Sequence, residues 1–231
     1  MMEIGGPLGR RPLHFVWLAD CSGSMDERGK IQSLNTAIRE VIPHMQKEAR
    51  DNPEARVMVR AIKFSDGAQW HVAQATPVED FKWTDLGAGG LTAMGAALRM
   101  LADQLKMPPM EKRGLPPVLV LVSDGMPTDD FEGGLQGLMG EPWGKRAVRM
   151  AIAIGDDADL DVLQRFIGHP ELKPLVAKNP EQLVSYIHWT SMTGIRTASR
   201  PPSQPGGASA PLPQPTMPPA PVADPDEPTI F

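Results

Sequence analysis

The chain has 231 residues, a net charge of −5 and 41% hydrophobic residues, enough for one domain with an ample core. No basic block or Lys/Arg stripe is visible, which argues against nucleic acid and anionic membrane as main partners. The single Cys21 excludes an intrachain disulfide and fits a reducing compartment, and no stretch approaches the length of a transmembrane helix.

Residues 1–12 read as a loose lead-in. Arg10-Arg11, an apolar run and then Asp20-Cys21 superficially resemble a secretion signal with a lipidated cysteine. The run is only seven residues, it contains His14, and Asp20 sits where cleavage needs a small residue. Residues 13–19 are instead expected to form a buried strand of a parallel sheet. Residues 30–50 carry Ile31, Leu34, Ala37, Ile38, Val41, Ile42 and Met45 at helical spacing. Pro43 inside this run is expected to bend or shorten the helix, and Asp51-Asn52-Pro53 ends it.

Residues 55–64 alternate and predict a strand; Ser65-Asp66-Gly67 turns it, and 68–75 return as an antiparallel edge. The Gly-rich loop 85–92 opens a helix over 93–105, broken by Pro108-Pro109. The continuous apolar run 118–122 is the central strand and ends at Ser123-Asp124-Gly125. A weakly helical region, 131–143, leads to a strand over 148–154. Asp156, Asp157 and Asp159 read as a turn and helix N-cap, without the remaining ligands of a calcium loop, and Asp129 and Asp130 read as solvated loop charges. A short helix over 160–167, an edge strand over 172–177 and a last helix from Pro180 to about 193 complete the domain. Leu183, Val184, Ile187 and His188 are the inner positions expected of that last helix. Strands and helices alternate throughout, so the expected class is a doubly wound α/β sandwich with a mostly parallel sheet, one antiparallel edge strand and helices on both faces.

Residues 13–199 are thus read as one domain and 200–231 as a tail. The tail holds 11 prolines in 32 residues and cannot bury enough apolar surface to fold alone, so an extended, disordered chain is expected. Its end carries Asp224, Asp226 and Glu227 ahead of Ile230 and Phe231. That arrangement suits a short docking peptide, or a self-binding segment offering a carboxylate to the domain, as well as it suits a solvated end.

Three strand ends offer oxygen ligands. Asp20, Ser22 and Ser24 alternate just past the first strand, Thr92 follows the Gly-rich loop, and Asp124 follows the central strand. Ligands of open α/β sheets bind at the carboxyl ends of their strands. Hard oxygen donors packed this closely repel one another unless a cation sits among them, and a largely neutral set suits Mg²⁺ or Mn²⁺. Taken alone, Asp20, Ser22 and Ser24 could equally form a capping turn. Gly23, Gly89 and Gly90 are expected where a side chain would collide with the neighbouring backbone, and Gly125 supports the Asp124 turn.

Together the D-x-S-x-S stretch, the Thr after a Gly-rich loop and the Asp of S-D-G resemble a von Willebrand factor A-type domain and its metal-ion-dependent adhesion site, over roughly residues 13–195. The wording P-L-x-F-V-W-L-x-D-C-S-G-S-M with G-G-L-T-x-M-G-x-A-L is similar to bacterial tellurium-resistance TerY-like proteins. The resemblance implies that Ser22 and Ser24 bind Mg²⁺ directly, with Mn²⁺ or Ca²⁺ as substitutes. It implies that Thr92 binds directly or through water, and that Asp20 and Asp124 act mostly through water and orient the serines. A partner's Glu or Asp would complete the octahedron. It further implies a non-enzymatic protein-binding module in a bacterial cytoplasm, with a PP2C-type phosphatase and a Ser/Thr kinase as partners in a stress-response or phage-defence system. In many such relatives the last helix shifts as the metal gains its ligand.

Other chemistries fit less well. An aspartyl phosphatase needs a second carboxylate where Ser22 stands, the Gly-rich loop lacks the Lys of a P-loop, and no G-x-S-x-G surrounds Ser22 or Ser24. His14, His44, His71, His169 and His188 have no zinc spacing, and Cys21 has no His near it in sequence. An Mg²⁺-dependent hydrolase or phosphotransferase using the same residues remains the alternative function, although no general base accompanies them.

Overall fold

The computed structural model describes residues 9–200 and 230–231. In chain order it contains β1 (Arg11–Asp20), α1 (Lys30–Asp51), β2 (Ala55–Phe64), β3 (Ala68–Pro77), α2 (Met94–Gln104), β4 (Val118–Ser123), α3 (Phe131–Gly140), α4 (Pro142–Arg146), β5 (Val148–Ile154), α5 (Leu160–Ile167), β6 (Leu175–Ala177) and α6 (Pro180–Ser199). The strands form one sheet in the order β3-β2-β1-β4-β5-β6. Every neighbouring pair is parallel except β2 with β3, the expected antiparallel edge.

β1 lies at the centre because it is apolar at successive positions, as a strand covered on both faces must be. It is buried from Leu13 to Asp20, and Trp17 pairs in register with Ala61 of β2 and Val120 of β4. Trp17 packs its ring against Phe15, Phe81 and Trp83 at centroid separations of 4.9 to 5.9 Å. The helix pairs α1 with α6 and α2 with α3 pack on each other and flank the sheet, giving the three-layer sandwich. The carboxyl ends of β1 and β4 are therefore adjacent at mid-sheet, where the order of connections reverses.

Several boundaries differ from expectation for identifiable reasons. Pro43 neither shortens nor ends α1, which runs unbroken to Asp51. Pro43 and Arg39 are exposed, so the carbonyl deprived of its N–H donor lies on the solvent side, while buried Ile42 and Met45 hold the helix down. The weakly helical region resolves into α3 and α4. α6 continues six residues beyond 193, because Ile195 and Ala198 bury against the sheet. Among its expected inner positions Leu183 and Ile187 are fully buried and Val184 partly so, but His188 is exposed and edges onto His44 of α1 at 4.8 Å between ring centroids. β6 is shorter than the expected strand. Of the lead-in, Arg11 and Pro12 belong to β1, and Arg10 donates to the Ala49 and Arg50 carbonyls. Residues 1–8 and 201–229, which include most of the expected tail, lie outside the described residues. No helix among the described residues is long and apolar enough to cross a membrane.

Candidate metal centre

The first loop folds back on the strand it leaves. Asp20, at the end of β1, accepts the Ser22 N–H at 2.8 Å on one carboxylate oxygen and the Ser123 hydroxyl at 2.5 Å on the other. This fixes the backbone so that Ser22 and Ser24 point the same way, with hydroxyl oxygens 3.1 Å apart. The Ser24 hydroxyl donates to Asp124 Oδ1 at 2.8 Å. Asp124 Oδ2 accepts from Lys30 Nζ at 2.7 Å. Asp20, Ser22, Asp124 and Lys30 are all buried.

The Gly-rich loop is fastened to the first by two backbone bonds, Gly89 N–H to the Cys21 carbonyl at 2.8 Å and Gly23 N–H to the Gly90 carbonyl at 3.0 Å. Asn35 seats the approach to that loop, donating to the Leu86 carbonyl and accepting from Leu86 N and Trp83 Nε1. Of the three glycines expected to avoid collisions, only Gly90 does so. A Cβ there would lie 2.6 Å from Asp66 Oδ1, the oxygen that accepts the Leu91 N–H, and its φ is +87°. At Gly23 a Cβ would meet the Gly90 carbonyl at an ordinary 3.5 Å, and at Gly89 it would meet nothing, although φ there is +152°.

Thr92 is buried next to these groups and is held by Thr128, whose hydroxyl accepts the Thr92 N–H and whose N–H donates to the Thr92 carbonyl. Gly125 stands between Thr92 and Ser24: a Cβ on it would be 3.9 Å from both hydroxyl oxygens. The structure therefore brings Asp20, Ser22, Ser24 and Asp124 into one hydrogen-bonded set, with the Thr92 and Ser24 hydroxyl oxygens both near Gly125.

Lys30 and Ser123 were not singled out from sequence, and Asp129 and Asp130 take capping roles that were not expected of them. Lys30 and Ser123 complete the hydrogen bonding of the two carboxylates. Asp129 is no solvated charge, since its oxygens accept the Gly95 and Ala96 N–H groups and so cap α2 from a neighbouring loop. Asp130 caps α3 through the Gly133 N–H, a role a run of Asp residues before a helix can signal. The expected N-cap at Asp159 is present. Of the tail residues, Phe231 is buried against the domain and Ile230 is exposed; Asp224, Asp226 and Glu227 lie outside the described residues.

The site is short of positive charge. Burial raises the Asp20 pKa above its ordinary value, against the pull of its hydrogen bonds to Ser123 and Ser22, and the nearby Asp124 charge adds to the rise. Two carboxylates face one ammonium, which leaves one negative charge over. Among the described residues no three His, Cys, Asp or Glu side chains cluster as an ion site. The donor set here is hydroxyls backed by carboxylates, which fits a small hard divalent cation that retains water.

No protein-family model matches the chain, and no curated protein matches it. Solved structures do. The ArnB paralog VWA2 from Sulfolobus acidocaldarius superposes with a TM-score of 0.59 at 16% identity, covering 78% of this chain and 45% of its own. A von Willebrand factor type A protein from Catenulispora acidiphila gives 0.58 at 18%, covering 80% and 43%. Proximal thread matrix protein 1 from the mussel byssus, with a zinc-occupied MIDAS motif, gives 0.60 at 12%, covering 79% and 48%. These likenesses show the von Willebrand factor A fold, and the chain spans less than half the length of each of the three.

Proposed function

We propose that this chain is a metal-dependent protein-interaction module, in which Ser22, Ser24 and Thr92 hold a divalent cation, with Mg²⁺ the first choice. Asp20 and Asp124 orient the hydroxyls and supply charge from behind. The observation that carries the reading is the Ser22–Ser24–Asp124 arrangement, in which two hydroxyl oxygens 3.1 Å apart are aligned by carboxylates from two strand ends. Bound largely by neutral oxygens, the ion keeps positive charge for an outside ligand, and a carboxylate of a partner protein is the group that suits it.

The surroundings favour a protein surface over a small molecule. Leu91 and Met126, each next to a site residue or its supporting glycine, are 59% and 64% exposed. A shallow concavity of about 310 Å³ beside Met126 combines apolar Pro127 and Phe131 with Arg165 and the acids Asp129, Asp130, Glu132 and Asp159. We propose binding rather than catalysis because the histidines with hydrogen bonds make them elsewhere: His14 to Glu111, His71 to the Thr84 carbonyl, and His169 from the Glu171 N–H. Among the described residues none of these histidines is thereby placed as a general base at the serines.

The finer reading, a TerY-like module acting with a PP2C-type phosphatase and a Ser/Thr kinase in a bacterial cytoplasm, rests on the wording of the two motif stretches and the lone buried Cys21. Affinity capture from the native host tests both levels. Partners recovered in Mg²⁺, lost in EDTA and lost with Ser22→Ala/Ser24→Ala support the module. Equal recovery in all three conditions overturns it.

A further inference from the structure

At the carboxyl ends of β5 and β6, beside the candidate metal loop, the chain binds its own last two residues. Phe231 is 3% exposed and forms part of the hydrophobic core, whereas Ile230 is 55% exposed. Both of their N–H groups donate to the Lys178 carbonyl, at 2.9 and 3.3 Å, and Arg28 Nη1 donates to the main-chain oxygen of Phe231 at 2.6 Å. Gly155 lies against Phe231, and its N–H bonds the Ala177 carbonyl and so ties the ends of β5 and β6 together. A Cβ on Gly155 would meet Phe231 Cβ at 3.5 Å, and its φ of +77° favours glycine.

The third wall is under constraint. Arg28 is the one non-glycine at positive φ among the described residues, at +51°. A side-chain-bearing residue keeps that conformation only where its surroundings impose it, and such positions cluster at ligand clamps. Here Gly29 continues the left-handed turn, and Lys30 behind it is anchored to Asp124, so the guanidinium is presented to the notch from a fixed base.

We propose that this notch is a peptide-docking site that reads one aromatic side chain through its pocket and the adjoining main chain through Lys178 and Arg28. In solution it is filled in cis by Ile230 and Phe231. The contacts set the specificity: the aromatic side chain is taken in and the preceding aliphatic residue stays outside. The 29 intervening residues, at ~3.5 Å each when extended, can span far more than the domain's width, so nothing in the tether prevents the closure.

Amide hydrogen exchange of the full-length ¹⁵N-labelled protein, run in EDTA to separate the result from any metal effect, tests this. The Ile230 and Phe231 amides are expected to exchange at least tenfold more slowly than in an unstructured peptide, at a rate independent of protein concentration. Phe231→Ala and Arg28→Ala should remove that protection at residue 230. Excess synthetic peptide with the sequence of residues 222–231 should shift both resonances to their released positions, and the same peptide with Ala for the final Phe should not. Exchange at the unstructured rate in the wild-type protein overturns the proposal without reference to any variant's folding. Protection that disappears on dilution overturns the cis assignment in favour of a second copy.

Discussion

Lys30 and Asp124 form an ion pair sealed from solvent, Nζ to Oδ2 at 2.7 Å, with side chains 4% and 0% exposed. One comes from the first turn of α1 and the other from the end of β4, so the pair locks the two halves of the candidate site together before any ion binds.

Removing the lysine should expose how much that lock contributes. Taking one partner from a buried pair costs about 3–5 kcal/mol, because the other charge is left uncompensated. Lys30→Met is therefore expected to lower the thermal midpoint by roughly 10 °C in EDTA, given about 2–4 °C per kcal/mol for a domain of this size. Mg²⁺ should restore more of the midpoint in the variant than it adds to wild type, since the cation supplies the missing charge. Scanning fluorimetry with Mg²⁺ and with EDTA checks both parts; equal Mg²⁺ effects would separate Lys30 from the ion.

Loss of the hydroxyls should act on binding more than on folding. Ser22→Ala/Ser24→Ala removes two proposed direct ligands and leaves Asp124 Oδ1 without its 2.8 Å donor. Calorimetric titration with Mn²⁺ should show affinity at least tenfold weaker, with a stability loss of about 1–3 kcal/mol from the unpaired acceptor. Unchanged Mn²⁺ affinity would remove the serines from the ligand set.

The thiol beside the site should be inert. Burial, with the Asp20 charge adding to it, pushes the Cys21 pKa from 9.0 up to about 12. Ellman's reagent at pH 8 is expected to react only as fast as the protein unfolds. The linkage sign follows from proton counts. Between about pH 9 and 12 the unfolded chain releases this proton while the folded one keeps it, so the thiol's contribution is intact below pH 9 and declines as pH rises through that window. Urea midpoints from pH 8.5 to 10.5 should fall more steeply for wild type than for Cys21→Ala.

The α2–α3 contact should tolerate no side chain at its centre. A Cβ on Gly95 would fall 2.2 Å from the Asp130 carbonyl oxygen, and one on Gly134 would fall 2.5 Å from the Gly95 carbonyl. Gly95→Ala must push α3 outward, at an expected cost of about 1–3 kcal/mol in chemical denaturation. It also disturbs the Asp129 cap that follows Thr92, so Mn²⁺ affinity should drop with it.

The sheet was legible because its signals are local: the apolar run of β4 and the alternation of β2 mark those strands wherever they sit in a fold. The candidate site residues could be picked out because Asp20, Ser22 and Ser24 lie within five positions and Thr92 and Asp124 each follow a Gly-rich or strand-end signal. What escaped depends on distance through space. Lys30 begins an amphipathic helix, and nothing in its neighbours says that Asp124, 94 residues away, waits for it. Asp129 caps a helix that ended long before it in sequence. Thr193-Gly194 looks like a helix end, yet the glycine is there because α6 continues flush against β4.

That last glycine limits how α6 can travel. A Cβ at position 194 would stand 2.5 Å from Val118 Cγ1 and 2.9 Å from the Met150 methyl, so the helix is keyed to the sheet at a single bare spot. Sliding by one turn, about 5.4 Å, would carry Thr190 or Ala198 onto the same two side chains. Either residue brings a methyl-bearing or larger group where there is room for a hydrogen. The helix is thus detented: smooth axial creep is sterically barred, and any stroke along its axis must first lift it clear of Val118 and Met150.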